Sequence, residues 1–110
     1  MALFMAAIKF STAATKGLVD NPQDRRPAAR AALQAIGCTL KEYYFAFGAA
    51  DAVVIYEAPD AGSAAAVSMA LGATGTAASV ETSQLFTMEE AMSAMTKASQ
   101  MRGSYTPPAG

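Results

Sequence analysis

The chain has 110 residues, 53% of them hydrophobic and 15% charged, with a net charge of −1 and neither histidine nor tryptophan. That length describes one domain. About half of the hydrophobic count is alanine, so large core side chains are scarcer than the percentage implies. Without histidine there is no Ser-His-Asp or Cys-His nucleophile arrangement, no imidazole metal site and no imidazole base. The single cysteine, Cys38, excludes an intrachain disulfide, a Cys-Cys redox pair and a thiolate metal cage, and fits a reducing cytosol. No cofactor and no metal are expected.

The segment Met1 to Phe10 is apolar but short and lacks a preceding basic stretch, and no later run approaches the roughly 18 apolar residues of a membrane helix. The expectation is a cytoplasmic protein with no membrane partner. The nearest approach to a basic cluster is Arg25-Arg26 followed by Arg30, too little to follow a phosphate backbone, so nucleic acid is not an expected partner.

In chain order, Leu3 to Phe10 sets Phe4, Ala6, Ile8 and Phe10 on one side against Leu3, Met5, Ala7 and Lys9 on the other. That is the two-residue period of a strand with both faces at least partly covered. Ser11 to Asp20 carries small and polar residues and a glycine, and reads as a connection. Asn21-Pro22 offers a cap, and Arg26 to Ile36 reads as a helix with Ala29, Leu33 and Ile36 on one face and Gly37 as its stop. Pro27 fits that helix only within its first turn.

Thr39 to Phe47, rich in aromatic residues, and Asp51 to Glu57, with Val53, Val54 and Ile55, predict a hairpin closed by Gly48-Ala49-Ala50. Asp60 caps a helix that contains Ala64, Val67, Met69 and Leu71 and fails at Gly72 and Gly75. A fourth strand spans Ala77 to Phe86. Thr87 with Glu90 three residues later is a capping-box signature for a last helix to about Gln100. The domain thus covers 1–100, and 101–110, with Pro107-Pro108, reads as a flexible tail.

This order of elements closes most simply as an α+β, ferredoxin-like β-α-β-β-α-β domain with an added C-terminal helix. Its four-stranded antiparallel sheet would run in the order 4-1-3-2 with helices on one face. The other face stays open although the first strand is apolar on both sides, which predicts a homo-oligomer, a dimer or a larger ring.

The segment Gly48-Ala-Ala-Asp51-Ala-Val-Val-Ile-Tyr-Glu57-Ala58-Pro59-Asp60, taken with Lys9-Phe10-Ser11 upstream and Glu81-Thr82 downstream, resembles the GYD-domain family. These are small bacterial proteins grouped with the dimeric α/β-barrel folds. The resemblance spans roughly residues 3 to 95 and includes Leu40-Lys41 at the start of the second strand. It departs from the family at Ala50, where the name-giving motif usually has tyrosine. It departs again at Ser79 and Gln84, where family members tend to carry arginine around the Glu-Thr of the last strand. The resemblance implies a fold and an assembly more than a chemistry.

The candidate ligand-binding residues are Lys9, Tyr44, Asp51, Tyr56, Glu57 and Glu81. Asp51 either accepts backbone N–H groups of its own turn or faces a pocket. Glu57 lies on the same strand face as Asp51, Val53 and Ile55, and is otherwise a solvated strand-end charge. Lys9 and Glu81 sit on neighbouring strands and are expected to meet as an ion pair on the open face, lining a cavity or a subunit interface. Tyr44 and Tyr56, with Tyr43, supply hydroxyls and aromatic walls, or simply core and interface surface. Met88, Met92 and Met95 recur at helical spacing as a packing stripe rather than a Cu(I) site. Cys38 reads as an unreactive small residue.

Two functions follow from these residues. The first is a non-catalytic oligomeric module that binds a small organic ligand between sheet and helices or acts through its assembly surface. The alternative is a small cofactor-independent enzyme, an isomerase, cyclase or oxygenase, in which Asp51, Glu57 or Glu81 serves as base with Lys9 or a tyrosine stabilising the developing anion. Burial separates them, because a base working near neutral pH must be desolvated.

Overall fold

The computed structural model describes residues 1–109. Its elements are β1 (Ala2–Phe10), α1 (Thr12–Asp20), α2 (Arg26–Gln34), β2 (Thr39–Phe45), β3 (Ala52–Ala58), α3 (Ala61–Ala73), β4 (Ala77–Leu85) and α4 (Met88–Ser104). The four strands form one antiparallel sheet in the order β2-β3-β1-β4, the expected ferredoxin-like arrangement.

Two-residue alternation decides which side of each strand the helices cover. In β1 the even residues Phe4, Ala6 and Ile8 are buried, and in β3 so are Ala52, Val54, Tyr56 and Ala58. Register places Phe4 opposite Tyr56 and Ala6 opposite Val54, so these residues form one continuous floor. The Phe4 and Tyr56 rings stack at 5.9 Å. Leu33 of α2 and Ala64 of α3 complete the buried cluster, with Val67 and Leu71 packed against it.

Glycines end two of the helices over this floor. Gly37, at φ 76°, takes the left-handed turn that lets the Cys38 N–H reach the Leu33 carbonyl at 2.9 Å. Gly75, at φ 74°, does the same after α3, where the Thr76 N–H bonds the Leu71 carbonyl. Pro27 stands in the first turn of α2, where its missing N–H costs nothing.

Three features differ from the sequence expectation. Residues Thr12–Asp20, read as a connection, form α1, capped by the Ser11 hydroxyl, which accepts the Ala14 N–H at 3.1 Å and donates to the Gly75 carbonyl at 2.6 Å. Four residues of the expected tail, Met101 to Ser104, continue α4. The methionine stripe of α4 does not pack within the chain: Met88, Met92 and Met95 are 70, 62 and 63% exposed. The capping box joining Thr87 and Glu90 starts this helix, but no α4 residue is buried. The molecule accordingly measures 58 × 32 × 22 Å, with a radius of gyration of 17.7 Å against about 13 Å for a compact chain of this length.

The floor residues carry the stability of the domain. Phe4→Ala is expected to cost about 3–5 kcal/mol, as for other buried aromatic truncations. Phe47→Ala, at a fully exposed position of the hairpin, should stay within about 0.5 kcal/mol of the parent. Urea denaturation of the two variants measures both.

Candidate functional site

Between the covered face of the sheet and the helices lies a cavity of about 770 Å³, partly open to solvent. Ala6, Ile8, Val54 and Tyr56 form its floor, and Phe10 and Tyr43 belong to its walls. Alanine creates the space. The helical residues lining it include Ala14 of α1, Ala28, Ala29 and Ala32 of α2, and Ala66 and Ala70 of α3. A methyl group cannot span the distance that the larger neighbours Leu33, Tyr43 and Tyr56 impose between the two layers. An edge-to-face relay of Tyr43, Phe45 and Phe10, with centroids 5.8 and 6.0 Å apart, holds the aromatic side.

The lining is mostly apolar, and its polar groups include Asn21, Gln23, Arg25 and Tyr43 near the start of α2 and Thr74 and Thr76 after α3. Among the described residues, Arg25 is the one charged lining residue and no carboxylate joins it. The Gln23 amide oxygen accepts from Arg25 Nη1 at 2.7 Å, while Gln23 Nε2 donates to the Asn21 carbonyl at 3.0 Å. The neighbouring Arg26 instead takes both oxygens of Asp24, whose carboxyl is held down at about 2 by those bonds. Burial pushes the Tyr43 hydroxyl up, and the charge of Arg25 works against that shift.

The six candidates from the sequence do not converge on one site. Tyr56 alone lines the cavity; it is fully buried, and its hydroxyl lies 3.5 Å from the Ala64 carbonyl oxygen. Tyr44 points to the other side of the sheet, opposite Val53, and donates to Glu42 Oε2 at 3.1 Å. Glu57 lies on that same open face and pairs with Lys41 Nζ at 3.1 Å. Glu81 is exposed opposite Ala7.

The expected pairing of Lys9 with Glu81 is replaced by another. Register sets Ser79, not Glu81, opposite Lys9, and Lys9 Nζ turns instead to Asp51 Oδ1 at 3.1 Å. Asp51 does not cap its own turn either. Its second carboxylate oxygen accepts the Phe10 N–H at 2.9 Å, and its backbone N–H donates to the Ile8 carbonyl at 2.8 Å, so it fastens the end of β1 to the start of β3. The Phe10 N–H and Lys9 hold the Asp51 carboxyl below its ordinary value of 3.8.

None of the three carboxylates is therefore placed as a base for neutral pH. Asp51 is shifted the wrong way, Glu57 is engaged by a lysine, and Glu81 is solvated. Arg25 and Tyr43 are among the cavity residues that the candidate set omits. The alanines facing the sheet from α2 and α3 were the available signal, since small residues at inward helical positions leave room.

The fold and cavity define a small α+β module with one covered and one open sheet face. The sequence profile of the GYD domain matches residues 4–95, and the chain belongs to the GYD-domain family. Comparisons with curated proteins and with solved structures gave no match. No helix among the described residues is long and apolar enough to cross a membrane.

The lowered Asp51 carboxyl makes a contribution to stability that is present above its unfolded value near 3.8 and lost as pH falls through the folded one. Asp51→Ala should lower the urea midpoint at pH 7. Its gap to the parent should narrow below about pH 4, as measured by a pH series of denaturation curves.

Proposed function

We propose that this GYD-domain protein is a non-catalytic, cytosolic module that binds a small, largely apolar organic ligand in the cavity between its sheet and helices, and that it works as a homo-oligomer. The observation that carries the ligand reading is the cavity itself. At about 770 Å³ it falls within the size range of small-molecule sites, and its lining is mostly apolar with a few polar groups near the start of α2 and after α3. The position of the carboxylates gives no support to the alternative of a carboxylate-based enzyme.

Two apolar surfaces support the assembly. The open face of the sheet presents Leu3, Met5 and Ala7 of β1 beside Val53 and Ile55 of β3 and Leu85 of β4, partly buried and bordered by Lys9, Lys41, Glu57 and Glu81. The methionines of α4 form the second, on a helix with no buried residue. Covering either one by a second copy would remove apolar area from water, with the flanking charges at the rim.

Both halves of the reading are measurable. The neutral fluorophore N-phenyl-1-naphthylamine should bind with a blue-shifted, enhanced emission, and Ala66→Phe, which fills the cavity, should weaken that binding at least tenfold while leaving the circular dichroism unchanged. Equal binding by parent and variant would remove the cavity from the account. Native mass spectrometry should report a dimer or a larger ring, and Ile55→Glu on the open face should shift it to monomer. A parent that is monomeric at micromolar concentration would overturn the assembly.

A further inference from the structure

Adjacent arginines at the start of α2 meet different fates. Arg26 consumes the nearby acid, with Nε and Nη2 both on the Asp24 carboxylate. Arg25 is left with an amide, which orients its guanidinium and neutralises none of its charge. Arg25 is only partly exposed and lines the cavity. Tyr43, whose hydroxyl has no hydrogen-bond partner among the described residues, lines the same cavity and lies near enough to feel the Arg25 charge.

We infer that the ligand is a monoanion with an apolar body, a carboxylate whose head group lies against the Arg25 guanidinium and accepts from the Tyr43 hydroxyl while its hydrocarbon part fills the alanine-lined space. This rests on the cavity reading and adds the chemical class of its occupant. A guanidinium presents parallel donors to a carboxylate, and its attraction is strengthened where one side is a low-dielectric wall. One cation matches one negative charge. A phosphate dianion would keep a charge uncompensated in a lining with no lysine and no second arginine, and a cationic ligand would find no carboxylate there. Holding Arg25 in place through Gln23 and Asn21 reduces the ordering cost of binding.

The test is displacement of bound N-phenyl-1-naphthylamine by decanoate and by decan-1-ol, which share a chain and differ in charge. Decanoate should compete about tenfold better than decanol at pH 7.5, the scale of one charge-assisted contact. Arg25→Gln should abolish that preference, weakening decanoate about tenfold more than it changes decanol or the fluorophore. Arg25→Lys should retain part of it, and Tyr43→Phe should reduce it by a smaller factor. If the fluorophore binds the cavity but decanol competes as well as decanoate, or if Arg25→Gln alters both equally, the anion assignment is overturned and the cavity stands. If the fluorophore does not bind, the cavity reading falls, and the anion assignment that rests on it falls with it.

Discussion

The spacing between sheet and helices, set by a few large side chains and left unfilled by many small ones, is the constraint on which the rest of this structure depends. Phe4, Tyr56 and Leu33 hold the layers apart, and each is almost fully buried. Alanine then occupies the inward positions of α2 and α3 around them. Because alanine costs no side-chain entropy and favours helix, these segments fold readily. They do so without the volume that would close the interior. A void next to packed side chains loses dispersion contacts on one side, so its persistence is a cost that a bound apolar ligand would offset.

Charge pairs form both along the chain and across strands, and they settle which charges remain free. Asp24 lies two residues before Arg26 and captures it, Lys41 reaches Glu57 across β2 and β3, and Lys9 reaches Asp51 where β1 ends. Exposed pairs of this kind contribute little each to stability. Their larger effect here is subtraction, since Arg25 is left as the charge at an apolar cavity. Asp51 does more than pair. By taking the Phe10 N–H it carries the hydrogen bonding of β1 and β3 past the last register pair, at the point where the β1–β4 ladder shifts.

The uncovered surfaces have a different origin. The sheet has helices on one side only, and the odd-numbered residues of β1 and β3 are too apolar to be a wholly solvated face. Helix α4 begins with a strong cap and then runs away from the body, which is why the molecule is longer than its residue count implies. Isolated helices of this length are marginal in water, and methionine is well suited to an adaptable contact.

Strand alternation in Leu3 to Phe10, the β-branched run before Glu57, the stops at Gly37 and Gly75 and the Thr87–Glu90 capping box were legible in the sequence, because each depends on residues within a few positions of one another. They were enough for the sheet order, while the family was legible in the Gly48–Asp60 segment taken with Lys9-Phe10-Ser11 and Glu81-Thr82. Helix α1 was not legible, since Gly17 and the threonines of Thr12–Asp20 hide a helix whose Ser11 cap also donates to the distant Gly75 carbonyl. The partner of Lys9, the placement of Arg25 at a cavity, the cavity over the alanines and the exposure of the α4 methionines were decided by tertiary structure alone. The reason is geometric: local sequence sets periodicity and caps, but which charge reaches which, and which face remains uncovered, depends on strand register and on where separate elements come to lie in space.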